Sequence, residues 1–130
     1  MERINIGTGT VWEDRVGYSR AVRTGPLVVV AGTTAVDEQS NSVAPGDAYA
    51  QTVFILEKIA AALERAGASL SDVVRTRTYI VSIDDQEHVG RAHHEAFAEV
   101  RPAATMIEIS GLVRPELVVE IEVEAWVGDA

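Results

Sequence analysis

The residues with the most chemical potential crowd together near the end of the chain. Glu120, Glu122 and Glu124 occupy alternate positions of the segment ELVVEIEVEAWV. Side chains repeat every two residues along a strand, so these carboxylates share one face, while Leu117, Val119, Ile121, Val123, Ala125 and Val127 share the other. Like charges on one face repel, and a fold keeps such a stripe only where water, cationic partners or a binding cleft compensate it. A carboxylate that loses solvent in a cleft can hold or activate a water molecule. The central member, Glu122, is the expected acid–base group. Glu120 and Glu124 read as rungs of a charge ladder with Arg75 and Arg77 of another strand.

Other catalytic arrangements find little support. His93 falls on the apolar seam of a helix between Val89 and Phe97, where a histidine packs rather than reacts. The adjacent pair His93-His94 lacks the i, i+4 spacing that points two rings at one metal, so no metal site is expected. There is no Ser-His-Asp or phosphate-loop signature, and Gly7-Thr8-Gly9 is too short for a nucleotide loop. No cofactor is implied.

The elements that must position the glutamates follow from periodicity. Tyr18 to Val22 and Leu27 to Gly32 flank Arg23-Thr24-Gly25-Pro26 as a hairpin, with Leu27 to Ala31 expected to be buried on both faces. Asp37 to Gly46 reads as a surface loop. Asp47 to Ala66 carries apolar residues at helical spacing, with Gly67 as its C-terminal cap. Val73 to Ile83 alternates as a strand, placing Val74, Thr76, Thr78 and Ile80 opposite Arg75, Arg77, Tyr79 and Val81. Asp84 and Glu87 suggest a capping box opening a second helix that ends before Pro102. Strands Ala104 to Ile109 and Leu117 to Val127 follow. This order predicts an α+β fold: a mixed sheet with two helices packed on one face, leaving the charged face open to solvent or another subunit.

At 130 residues the chain is expected to form a single domain, 1–130, with a core that needs neither metal nor disulfide. It has no cysteine and no apolar run long enough for a membrane span, and its start lacks the pattern of a signal peptide, so a cytoplasmic location is expected. A formal net charge of −9 disfavours nucleic acid as a partner.

Taken in order, Gly17-Tyr18-Ser19, Ala21-Val22, Val30-Ala31-Gly32, Ala66-Gly67 and Val73-Val74-Arg75-Thr76 resemble the YjgF/Rid family, the reactive intermediate deaminases once labelled L-PSP endoribonucleases. His94-Glu95-Ala96-Phe97, Pro102-Ala103, Ile107-Glu108-Ile109 and Ile121-Glu122-Val123-Glu124-Ala125 extend the likeness over nearly the whole chain. The resemblance implies a chorismate mutase-like fold, a homotrimer with clefts between subunits, and hydrolysis of small enamines or imines to an oxo product and ammonia. It implies Glu122 as the water-orienting group, Tyr18 at the cleft mouth, Gly32 as a backbone contact and Thr105 beside the substrate. Ala104 stands where archetypal members carry a carboxylate-clamping arginine. Arg91 is the first candidate to replace that arginine, with Arg101 and Arg20 behind it. Binding of a metabolite without turnover is the alternative, and RNA cleavage a weaker one.

Overall fold

The computed structural model describes residues 2–128. Its strands are β1 (Arg3–Ile6), β2 (Ala21–Thr24), β3 (Leu27–Thr33), β4 (Val73–Ile80), β5 (Ala103–Glu108) and β6 (Val119–Trp126), and its helices are α1 (Val11–Val16), α2 (Ala48–Arg65) and α3 (Gln86–Phe97). The strands form one mixed sheet in the order β1-β2-β3-β6-β4-β5. Only β4 and β5 run parallel; the other neighbours are antiparallel. The α+β reading is therefore correct, and no helix of the described residues is long and apolar enough to cross a membrane.

The two long helices lie together on one face. Ile55, Ile59 and Leu63 of α2 pack into a core with Val28, Val30, Val119, Ile121 and Val123, all essentially inaccessible to water. Asp47 caps α2 by accepting from the Ala50 N–H at 3.0 Å. At its other end Ala68 N–H donates to Leu63 O and Gly67 N–H to Glu64 O, a closure that needs the left-handed φ of +82° at Gly67. On α3, His93 Nε2 lies 2.9 Å from Thr76 Oγ1 of β4, its ring tilted against Phe97. His93 is thus a satisfied packing residue, and burial holds its pKa below the usual imidazole value.

Four local expectations need correction. Strand β3 is buried on one face only: Val28 and Val30 are covered, but Val29 is 38% exposed because no layer packs on that side. In β4 a bulge at Val74 lets Val73 and Arg75 pair with the consecutive residues Ala125 and Glu124. Val74 therefore turns to solvent, Val73 joins the buried set with Thr76, Thr78 and Ile80, and the strand ends at Ile80. The start of α3 is prepared by a 3₁₀ turn, Ile83–Asp85, whose cap is Ser82; Asp85 makes no side-chain cap. Finally, β1 and α1 were not anticipated. Helix α1 is held by Thr10 at its N-cap and by buried Glu13, which accepts from the Thr8 N–H and hydroxyl.

Candidate functional site

Strand β6 presents Glu120, Glu122 and Glu124 on the face away from the helices, opposite Tyr79, Arg77 and Arg75 of β4 respectively. The side chains do not bond straight across. Arg77 donates to Glu124 Oε1 at 2.8 Å and keeps only a 3.9 Å contact with Glu122. Tyr79 donates its hydroxyl to Glu122 in a short hydrogen bond. That bond is the main reason the phenol pKa lies above its ordinary value. These diagonals are within reach for long side chains on a twisted antiparallel pair. Glu122 and Glu124 are thereby occupied in a ladder, which the sequence suggested for Glu124 but not for Glu122.

Glu120 has a different environment because β3 contains a bulge. Val30 pairs with Val123 but Thr33 with Ile121, so β3 fits three steps against two of β6. The irregular stretch, Ala31-Gly32, delivers Gly32 to the Glu120 carboxylate. A Cβ added at Gly32 would stand 2.0 Å from Glu120 Oε2, so only glycine allows this approach. Burial is the largest influence on Glu120 and raises its pKa; the nearby Arg20 charge opposes the rise and Glu122 adds to it. Among the described residues no ion pair within 4.0 Å reaches Glu120.

Arg20 completes this corner. It leads into β2, where its backbone N–H donates to Ile6 O at 2.8 Å. Its Nη1 donates to Gly32 O at 2.9 Å and to Thr33 Oγ1 at 2.8 Å. Its guanidinium carbon lies 5.6 Å from the centroid of the Tyr18 ring, which is 37% exposed at the edge of the group.

The structure thus brings together Tyr18, Arg20, Gly32 and Glu120, and does not bring Glu122 to them. Arg91 lies in the helical layer, 4.0 Å over the ring of Tyr49, whose hydroxyl is bonded to Glu95. Arg101 closes the end of α3, its Nε donating to Ala98 O, beside an open hollow of about 500 Å³ lined by His93, His94 and Phe97. Ala104 and Thr105 lie on the exposed edge strand β5, paired with Thr76 and Arg77, so they point to opposite faces. Strand β5 is three strand spacings from β3, about 14 Å, too far for either residue to meet Gly32 within one protomer. No group of three or more His, Asp or Glu among the described residues is arranged to hold a metal. The setting of Glu120 is hinted at by Gly32, a glycine inside an apolar strand, but the bulge that joins them leaves no sequence signal.

Comparison with known proteins agrees with this architecture. Residues 12–127 match the family described as Endoribonuclease L-PSP. A crystal structure of a member of the YjgF/YER057c/UK114 family from Mycobacterium tuberculosis is 47% identical, with a TM-score of 0.88 over 97% of this chain and 100% of that one. A 3-aminoacrylate deaminase RutC of Acinetobacter baylyi is 36% identical over 80% of this chain and 82% of its own length. A RutC family protein of Pyrococcus abyssi is 35% identical over 84% of this chain and 85% of its own. The chain therefore belongs to the YjgF/Rid family.

Proposed function

We propose that the protein is a Rid-type deaminase that hydrolyses a small enamine, imine or related carbonyl metabolite in the cytoplasm, with Glu120 in the acid–base role. The half-buried carboxyl of Glu120, held against Gly32 with no ion pair among the described residues and with its pKa raised, carries this reading. Such a group exchanges protons more readily near neutral pH than an ordinary carboxylate does. As water adds to the imine carbon, Glu120 accepts its proton and passes it to nitrogen. The resulting carbinolamine then gives its hydroxyl proton, again by way of Glu120, to the amine; the oxygen forms the carbonyl as the C–N bond breaks, and ammonia leaves. The deaminase named among the relatives supports this class of reaction.

The same reading includes a homotrimer with its clefts between copies. The open face supports it by exposing Val29 and Trp126 as apolar surface, and such an assembly would let the β5 edge of another copy bring Thr105 to the Glu120 corner, which it does not reach within one protomer. A second reading, metabolite binding without turnover, is favoured by Ala104, which offers no charged group at its position. RNA cleavage, which the family description suggests, is opposed by the net charge of −9.

Ammonia release from freshly generated imines separates these readings. The wild type should release ammonia and an oxo product, and Glu120→Gln should lose roughly 100-fold or more in rate. Equal rates in both proteins would remove Glu120 from the mechanism.

A further inference from the structure

We infer that Arg20 is the anion-binding residue of the Glu120 corner, holding a substrate carboxylate on the free Nε and Nη2 edge of its guanidinium. The inference rests on the reading of that corner as the substrate site.

The hydrogen-bond inventory of Arg20 points to this edge. Both protons of Nη1 are committed, to Gly32 O at 2.9 Å and Thr33 Oγ1 at 2.8 Å. Nη2 makes only a long 3.4 Å contact with the Tyr18 hydroxyl, and Nε has no partner among the described residues. The two nitrogens left over share one side of the planar group, spaced to meet both oxygens of a carboxylate. The anchor is rigid: Thr33 is fully buried and donates its own hydroxyl to Ala31 O at 2.8 Å. Holding a guanidinium by one nitrogen with an aromatic ring beside it restricts its orientation before any ligand arrives, which lowers the entropy cost of a two-point contact.

Three other cations are committed elsewhere, and Arg75, which shares the open face, stands opposite Glu124 rather than Glu120. Arg77 is spent on Glu124, Arg91 is stacked on Tyr49, and Lys58 is turned to the Thr34 and Val36 carbonyls. Glu120 and Arg20 are near enough to influence one another, yet no ion pair joins them. A ligand whose carboxylate is bonded directly to its reacting carbon would place the carboxylate on Arg20 and the reacting carbon toward Glu120. A substrate lacking the anion would lose the first contact and keep the second.

Calorimetric titration with 2-oxobutyrate and with its neutral amide tests this without requiring turnover. Arg20→Lys keeps the charge and can still reach Gly32 O, but it presents no planar fork. It should weaken 2-oxobutyrate binding by roughly 10- to 100-fold and leave amide binding within a factor of two. Arg20→Gln should do the same if the lysine variant folds poorly. Equal losses for acid and amide, no loss for either, or a wild type that binds both alike would overturn the assignment. Ammonia release that survives Glu120→Gln would remove Glu120 from the reaction, and no ammonia release from the wild type would remove the hydrolytic reading, while the titration still decides the role of Arg20.

Discussion

Glu120 and Glu122 are the same residue type, on the same face of the same strand, two positions apart, and they end in opposite chemical situations. Glu122 is engaged by Tyr79 and stands near Arg77, in a ladder that continues to Glu124. Glu120 has lost much of its water to β3 without gaining a direct cation, and its pKa rises. The difference comes from the neighbouring strands. The regular part of β4, beyond its bulge at Val74, supplies Arg77 and Tyr79 opposite the ladder, whereas the bulge of β3 supplies a glycine and, behind it, Arg20. A stripe of equal charges is thus divided by its neighbours into a bonded ladder and a carboxyl withdrawn from water.

The sharpest way to break the comparison is to neutralise each carboxylate in turn. Against the loss of roughly 100-fold or more expected for Glu120→Gln, Glu122→Gln should stay within about tenfold of wild-type ammonia release, because it removes a ladder contact and no reacting group. If the two losses are reversed, the central glutamate resumes the role its place in the stripe first suggested.

Gly32→Ala attacks the same difference from β3. The added methyl meets the Glu120 carboxylate 2.0 Å away, and the flexible end of that side chain must move aside. The fold should survive, because the clash is with a side-chain tip rather than backbone. Displacing the reacting group by about 1 Å should cost on the order of 100-fold in rate, with a melting temperature close to wild type. A fully active Gly32→Ala enzyme would show that the close approach has no catalytic meaning.

Much of this division is legible in the sequence and part of it is not. The carboxylate stripe, the cationic face of β4 and the long helix closed by Gly67 all follow from periodicities of two and 3.6, and the structure has them. The bulges at Val74 and at Ala31-Gly32 depend on strand partners far apart in the chain, and each one shifts which residues share a face. That is why periodicity alone puts Val74 on the face of Thr76 and Thr78, and why it does not separate the surroundings of Glu120 from those of Glu122. Short β1 and α1 carry too few residues for a period to emerge, and Glu13, a charged residue that is 8% exposed, reads as surface until its bonds to Thr8 are seen. The anchor of Arg20, the Gly32 carbonyl, is a backbone atom that composition does not reveal.

The raised pKa of Glu120 also makes a thermodynamic statement. A carboxyl whose folded pKa exceeds its unfolded value favours folding in its protonated form, so it costs stability as pH rises through the unfolded and then the folded value. Removing the charge in Glu120→Gln should therefore raise the melting temperature near neutral pH, and the gain should vanish as pH falls below the ordinary carboxylate range. Glu120 is only half withdrawn from water, and screening keeps the gain to about 2 °C. A stabilisation that persists unchanged at low pH would trace to packing rather than charge.

The ladder offers the smallest effect and the cleanest contrast. Glu124 and Arg77 keep roughly a third of their side-chain surface in water, at 35% and 39%, although their contact is 2.8 Å. Ion pairs this exposed contribute little, and salt weakens them further. Glu124→Gln should lower the melting temperature slightly at low ionic strength and not measurably in about 1 M salt. Glu120→Gln, whose effect comes from withdrawal from water rather than from a solvated pair, should keep its sign in both. Opposite signs of two neutralisations, four residues apart on one strand face, would separate site from scaffold by thermodynamics alone. A salt-insensitive loss at Glu124 would mean that its pair with Arg77 is shielded in the assembled protein, and that the ladder too belongs to a subunit contact.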